Sequence, residues 1–406
     1  MGKSKKNEPG KLANKKMIYS NLIIQPNAWN KLNNYFHNKK LPNALLFYGN
    51  NGLGKEGHAI EFAALINCLQ PENKQSCGKC MSCQKIKTFQ HGNLKLIHPL
   101  PTGKQNSAKS PLENLTKSEL ENYQDMLSLK STNPYYKIEV PKSNSILINS
   151  IRSLKKDLSL SKIEKGWNII IILEAEKLCY PSNVAANALL KILEEPPEKT
   201  LFILITSNYS KIIDTVKSRC QSIFFPKIAY SKLYDFMDDN LSYEEKSIIT
   251  NITDGDINLI KNLDNSITEI YDDLKMFIKS CYSSRHEYND LIIQRISILK
   301  RTDNIKLLIF FRIIMIYFKD LFFFAESKDI KYIVYKNLDK HYNKIINHYN
   351  HSNWNLCIDI VENTLNNIYK NASIPLCING MIIEIQELIN GNKNEKFDIN
   401  NWLETK

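Results

Sequence analysis

The first half of the chain alternates between short apolar runs and stretches of helical spacing. Apolar runs typical of buried strands occupy Ala44–Tyr48, Leu94–Ile97 and residues 168–173, 201–206 and 223–225. Helical spacing occupies residues 26–39, 58–68, 148–158 and 183–195. Apolar strands that alternate with helices predict a parallel sheet covered on both faces, and therefore an α/β fold.

The pattern changes after Pro226, and no strand signal recurs. Residues 229–280 predict several short helices, and residues 286–392 predict longer helices with aromatic and aliphatic faces. The most apolar stretch is residues 307–325. Three charged residues interrupt it, namely Arg312, Lys319 and Asp320. It is therefore predicted to be a buried helix and not a membrane span.

The length and charge of the chain limit the classes of protein to which it can belong. At 406 residues the chain is too long for one core, so two or three domains are expected. The net charge is +12, and the first 17 residues hold six Lys against one Glu. This charge is compatible with nucleic-acid binding or with a lysine-rich composition alone. No apolar leader follows Met1, so a cytoplasmic location is expected.

Four cysteines fall within 16 residues, in the spacing C-x8-C-x2-C-x2-C: Cys68, Cys77, Cys80 and Cys83. A C-x2-C step directs two thiolates at one point, and Gly78 relaxes the turn between them. Four thiolates form a closed tetrahedral site for structural Zn²⁺. Free or disulfide-bonded cysteines are the alternative, and a reducing cytoplasm favours the metal.

A glycine-rich turn follows the strand at Ala44–Tyr48. It contains the phosphate-loop residues Gly49, Gly52, Gly54 and Lys55. In a working loop, a Ser or Thr after the Lys holds Mg²⁺, but Glu56 stands there. A carboxylate at this place would repel phosphate unless a metal screened it. A phosphate-loop fold is therefore predicted, with ATP binding in doubt.

Two further positions bear on nucleotide chemistry. Leu173 stands where a metal-binding Asp would follow the strand, with Glu174 in the place of the water-activating acid; a one-residue shift would make Glu174 the metal ligand. Either way one acid is missing, and a solvated strand end is the alternative. Arg219, in Ser218-Arg219-Cys220, is either a surface cation or an arginine that reaches a neighbour's ATP site in trans.

These features resemble the delta-prime subunits of the bacterial DNA polymerase III clamp loader, which are AAA+ proteins. The resemblance rests on the lead-in 41–47, the cysteine module, His91-Gly92-Asn93, the run 187–197 (NALLKILEEPP), Thr206-Ser207-Asn208 and Ser218-Arg219-Cys220-Gln221. The resemblance covers residues 22–226. Beyond them, the chain matches the family only in its helical character. The related gamma/tau subunits would keep Ser or Thr after Lys55 and an Asp-Glu pair, so delta-prime is preferred.

The resemblance implies an AAA+ RecA-like domain with a zinc module, followed by a helical lid and an all-α collar. The implied ranges are a basic disordered tail at 1–17, the AAA+ domain at 18–226 with the zinc module at 68–83 and an insertion at 99–145, the lid at 227–284, the collar at 285–395 and a tail at 396–406. The polar insertion is predicted to contain a helix at 117–129.

The implied function is that of a stator, which has no activity alone and helps to load the sliding clamp on primed DNA. Arg219 would serve the ATP site of an adjacent gamma/tau subunit. The implied partners are gamma/tau, delta, the clamp and primer-template DNA, without a membrane. Two alternatives remain: an ATP-hydrolysing gamma/tau-like subunit, and a zinc-module DNA-binding protein with a vestigial nucleotide fold. In a third alternative, the zinc only stabilises the first domain and makes no contact with a partner.

Overall fold

The computed structural model describes residues 17–102, 111–159, 164–263, 267–282, 287–349 and 352–390. These residues form two compact units, which divide between Ile228 and Ala229. Most of the two predicted tails and positions 103–110 of the insertion lie outside the described residues. The division of the second half into lid and collar stays a prediction.

The first unit is an α/β fold. Its strands are β1 Ala44–Tyr48, β2 Leu94–Ile97, β3 Asn168–Ile172, β4 Thr200–Thr206 and β5 Gln221–Phe224. Its helices are α1 Pro26–His37, α2 Lys55–Asn67, α3 Met81–Lys87, α4 Lys117–Thr132, α5 Ile148–Ser159, α6 Val184–Glu194 and α7 Asp214–Lys217. The strands form one parallel sheet in the order β2-β3-β4-β1-β5. The predicted α/β class is therefore confirmed.

Strand β1 lies inside the sheet, between β4 and β5. Phe47 pairs with Ile205 on one side, and Tyr48 pairs with Phe224 on the other. All seven residues of β4 are buried, as expected for a strand covered on both faces. Because the strands are parallel, the loops after β1, β3 and β4 meet at one edge of the sheet. That edge holds the predicted nucleotide site.

Two short elements differ from the sequence prediction. Strand β5 covers residues 221–224 and not 223–225, because Gln221 and Ser222 are exposed on an edge strand and give no apolar signal. Helix α3 was not predicted. Its seven residues are too few for a helical period, and the Cys80 sulfur accepts a hydrogen bond from the Cys83 N–H at its start.

The described part of the second unit is helical. Its helices are α8 Tyr230–Leu233, α9 Tyr243–Thr253, α10 Ile257–Leu263, α11 Ile267–Tyr282, α12 Glu287–Thr302, α13 Asn304–Ser327, α14 Asp339–His348, α15 Trp354–Tyr369 and α16 Ile374–Asn390. Helix α13 packs against α9, α11, α12 and α15 and contains the apolar stretch 307–325. Within the described residues, no helix is long and apolar enough to cross a membrane.

A buried carboxylate anchors α13 to the segment that follows it. Asp320 accepts hydrogen bonds from the N–H groups of Val334 and Tyr335 at 2.8–3.0 Å and from the Tyr342 hydroxyl at 3.2 Å. Burial raises the pKa of Asp320 to about 6, although these donors favour its charged form. This network explains how a charge is tolerated in the most apolar helix.

Candidate metal centre and nucleotide site

The four cysteines of the module meet at the end of α2. Cys68 follows the last residue of α2, Cys77 and Cys80 lie in the loop, and Cys83 lies in the first turn of α3. Their sulfur atoms all lie within 4.8 Å of one another. The N–H groups of Cys77, Cys80 and Cys83 point at the sulfurs of Cys68, Cys77 and Cys80, at 3.3, 3.3 and 3.5 Å. Donors of this kind favour thiolates.

The donor set fits Zn²⁺. A tetrahedral ion with four Zn–S bonds of about 2.3 Å separates its sulfurs by about 3.8 Å. The Sγ atoms of Cys77 and Cys83 are 4.0 Å apart and all four sulfurs lie within 4.8 Å, so no pair would have to close by more than about 1 Å. Four protein ligands leave no open position, so such a site would be structural and could not activate water.

A buried carboxylate connects the cysteine loop to the rest of the unit. Glu61 of α2 accepts a 2.7 Å hydrogen bond from the Ser76 hydroxyl, one residue before Cys77, and bonds from the N–H groups of Ile18 and Tyr19. Burial raises the pKa of Glu61 to about 7. One side chain, Glu61, therefore joins the cysteine loop, α2 and the segment at Ile18.

The phosphate loop has the backbone that its glycines predict. Gly49, Gly52 and Gly54 all have φ between +69° and +145°, and a Cβ on Gly49 would lie 2.4 Å from the Phe225 carbonyl oxygen. The Lys55 ammonium, however, donates to the carbonyl oxygens of Gly49 (2.8 Å) and Asn50. The cation that would bind the outer phosphates is turned back onto its own loop.

Glu56, at the position of the usual hydroxyl, is bound by a lysine from the insertion. It forms an ion pair with the Lys130 ammonium, near the end of α4. Lys130 is 1% exposed and also donates to the carbonyl oxygens of Pro134 (3.3 Å) and Tyr136 (2.5 Å). The carboxylate therefore meets a protein cation where a working loop would hold Mg²⁺.

The acid after β3 is also paired. The position where a metal-binding carboxylate would stand is occupied by the buried, apolar side chain of Leu173. Glu174, in a left-handed backbone conformation, lies 3.4 Å from the Lys137 ammonium and 3.1 Å from the Lys177 ammonium. Lys137, from the insertion, also pairs with Glu139 at 2.7 Å. Glu174 is thus not the solvated strand end that the sequence left open.

The end of β4 faces the same region. The Thr206 hydroxyl donates to one oxygen of Glu176 at 2.7 Å, and the Ser207 hydroxyl donates to the other at 3.4 Å. These hydroxyls lie in the segment that resembles the nucleotide-sensing strand of clamp-loader subunits. In this chain they bind a carboxylate of the loop after β3.

Arg219 lies away from this edge. It precedes β5, and Gln221 of β5 pairs with Leu45, near the amino end of β1. The phosphate loop follows the carboxyl end of β1. Strands rise about 3.3 Å per residue, so β5 alone separates the two edges by about 13 Å. Two nitrogens of Arg219 donate to Glu194 at the end of α6, at 2.5–2.9 Å, and a third donates to the Thr215 carbonyl oxygen.

The structure shows where the predicted residues lie and adds partners that the sequence did not single out. The structure brings the four cysteines together and builds the loop around Lys55. Lys130 and Lys137 were not singled out, because they lie in a polar insertion without a sustained period. The unusual carboxylate at Glu56 was the available signal, since a partly buried carboxylate needs a cation or hydrogen-bond donors within reach.

His58, one turn into α2, leads to a testable pH dependence. Its Nε2 accepts the Gln25 N–H at 3.0 Å and its Nδ1 lies 2.8 Å from the Gly54 carbonyl oxygen, so the ring is neutral. Burial lowers its pKa from 6.5 to about 4. The unfolded chain then binds the proton more readily, so the stability is complete above pH 6.5 and falls as the pH approaches 4.

We expect this group to contribute about 3 kcal/mol to that loss. Urea unfolding between pH 7.5 and 4.5 should show a flatter pH dependence for His58→Gln than for the wild type. His37→Gln, at the exposed end of α1, should retain the wild-type slope. Equal slopes for His58→Gln and the wild type would contradict the assignment.

Comparison with known proteins places the chain in a family. The profile of the family described as DNA polymerase III, delta subunit, matches residues 24–229, half of the chain. The chain is 26% identical over 233 residues to DNA polymerase III subunit delta' of Bacillus subtilis (strain 168), covering 57% of each protein. It is 26% identical over 286 residues to the delta' subunit of Buchnera aphidicola subsp. Schizaphis graminum, covering 69% of this chain and 71% of that one.

Two further matches add less to this assignment. The tau subunit of B. subtilis is 27% identical over 266 residues, covering 64% of this chain and 39% of its own length. A solved gamma subunit-related protein of Thermotoga maritima is 14% identical and covers 89% of this chain, but its TM-score of 0.40 is too low to carry an argument. The chain spans little more than half of the B. subtilis delta' subunit. The family profile and the delta' relatives confirm the resemblance of the motifs, and the chain belongs to the DNA polymerase III delta subunit family.

Proposed function

We propose that this chain is the delta'-type stator of a clamp loader. It would assemble with gamma/tau and delta subunits through a helical collar at 285–395, help to place the sliding clamp on primer-template DNA and hydrolyse no ATP itself. Structural Zn²⁺ on the four cysteines would stabilise its AAA+ domain. Arg219 would complete the ATP site of the adjacent gamma/tau subunit.

The position of Arg219 carries this proposal. It lies at the amino edge of the sheet, whereas the chain's own phosphate loop lies at the carboxyl edge. An arginine placed there cannot reach the chain's own loop, but its side chain is 34% exposed and would have to leave Glu194 to meet a neighbouring subunit. A planar cation with several donors is suited to the charge that develops on a transferred phosphoryl group.

The nucleotide site supports the absence of independent hydrolysis. Lys55, Glu56 and Glu174 all bind groups of this chain, and Leu173 replaces the expected metal ligand. Phosphoryl transfer requires a metal, a phosphate-binding cation and a group that orients water. The alternative of a gamma/tau-like ATPase is therefore disfavoured.

We expect the purified chain to show only background ATP hydrolysis and to co-purify with the gamma/tau and delta subunits of its own organism. A phosphate-release assay and size-exclusion chromatography of the mixture would test both points. The gamma/tau subunit assayed alone is the positive control for turnover. Robust hydrolysis by the isolated chain, or its failure to join the complex, would refute the stator proposal.

A further inference from the structure

The segment formed by α4 and the loop after it, residues 117–140, lies across the phosphate loop. A Cβ built on Gly54 would lie 3.1 Å from the Tyr135 ring, and one built on Gly57 would lie 2.7 Å from the Pro134 side chain. The Tyr135 hydroxyl also accepts a 2.7 Å hydrogen bond from the Ile23 N–H. The segment therefore packs directly on the first turn of α2, which in a working loop faces the phosphates.

Two lysines of the segment bind the two carboxylates of the site. Lys130 pairs with Glu56 and Lys137 pairs with Glu174, and these acids follow two different strands of the sheet. The Lys130 side chain is shielded from water, since it is 1% exposed. Its ammonium also donates to two backbone oxygens of its own loop. The segment is thus held at two points, one at the loop and helix that follow β1 and the other at the loop that follows β3.

Further contacts around these two ion pairs hold residues 117–140 in place. Tyr123 of α4 packs on the buried ring of His98, which lies just after β2, with the ring centroids 4.9 Å apart. The Tyr19 hydroxyl donates to the Lys130 carbonyl oxygen at 3.1 Å. Contacts from the segments at Tyr19 and Ile23 and from the ends of β1, β2 and β3 therefore converge on residues 117–140. A loop lying loosely on the surface would not make them.

We propose that residues 117–140 are a permanent internal occupant of the nucleotide site. Lys130 and Lys137 supply the positive charge that a metal ion supplies in a working phosphate loop, and Pro134 and Tyr135 fill the space beside its glycines. The first unit then keeps one conformation whether ATP or ADP is present. This inference concerns the isolated chain and holds whether or not the chain is a clamp-loader stator.

Amide hydrogen exchange of the full chain, measured by mass spectrometry, tests the proposal. In the wild type, residues 55–60 and 133–140 should exchange slowly, and their rates should be the same with and without millimolar Mg-ATP or Mg-ADP. In Lys130→Met/Lys137→Met both segments should exchange at least tenfold faster, while β4 and the second unit remain unchanged. If the unpaired Glu56 prevents folding, Glu56→Gln/Lys130→Met/Lys137→Met removes that charge.

A matched control is Lys117→Met/Lys142→Met, which removes two exposed lysines from the same region and should exchange like the wild type. The proposal is overturned if either nucleotide alters exchange at 55–60 or 133–140 in the wild type. It is equally overturned if the folded lysine variant exchanges like the wild type. Neither result depends on the complex-formation assay, so this inference and the stator proposal can fail separately.

Discussion

In a reconstituted loader, clamp-stimulated ATP hydrolysis at the site that Arg219 completes should fall at least tenfold when Arg219 is replaced by alanine, while ATP binding and assembly remain unchanged. An arginine supplied in trans stabilises the charge of the transition state and contributes about 10³–10⁵ to the rate at the site it completes. The loader also contains sites that Arg219 does not reach, so the drop in the total rate is expected to be smaller. A phosphate-release assay with clamp and primed DNA would measure it.

The Arg219→Ala variant should fold normally. Arg219 and Glu194 form a partly exposed pair, with side chains 34% and 48% exposed, and such a pair contributes at most about 1 kcal/mol. Arg219→Lys should restore little activity, because an ammonium lacks the planar fork of donors. Arg152→Ala removes one exposed positive charge from α5 and serves as the control. Wild-type turnover by an intact Arg219→Ala complex would rule out the trans role.

Loss of the cysteine cluster should destabilise the first unit by several kilocalories per mole. We expect metal analysis to find one Zn²⁺ per wild-type chain and almost none in Cys80→Ser/Cys83→Ser. A structural zinc site contributes about 10–16 kcal/mol of apparent binding free energy in isolated fingers, so losing two ligands removes a large stabilising term. Urea unfolding of both proteins would measure the difference.

The effect should extend beyond the loop. Ser76 binds Glu61 of α2, and Glu61 also binds the N–H of Ile18, so disorder at 68–87 would release contacts at both places. Cys179→Ser is the control, because Cys179 is a partly buried thiol of the same unit outside the cluster. A metal-free wild-type protein with an unchanged unfolding midpoint would reject the zinc assignment.

Much of the first unit was predictable because its signals are local. Buried strands such as β3 and β4 are continuous apolar runs, and the helices carry their own period. Strand β5 begins two residues before its predicted start and ends one residue before its predicted end, because an exposed edge strand is not uniformly apolar. Helix α3 was missed because a helix of seven residues is shorter than the window in which a period can be recognised.

The candidate sites also contain features that local sequence predicts and features that it does not. The spacing of Cys68 to Cys83 and the glycines around Lys55 indicate their chemistry without any distant contact, because their ligand groups are neighbours along the chain. The pair of Glu56 with Lys130 joins residues 74 positions apart, and no local pattern specifies it. Folding alone brings the insertion over the phosphate loop and holds Arg219 at the opposite edge of the sheet. The reason is physical: spacing along a chain encodes local geometry, whereas the partner of a buried charge depends on which distant segments pack together.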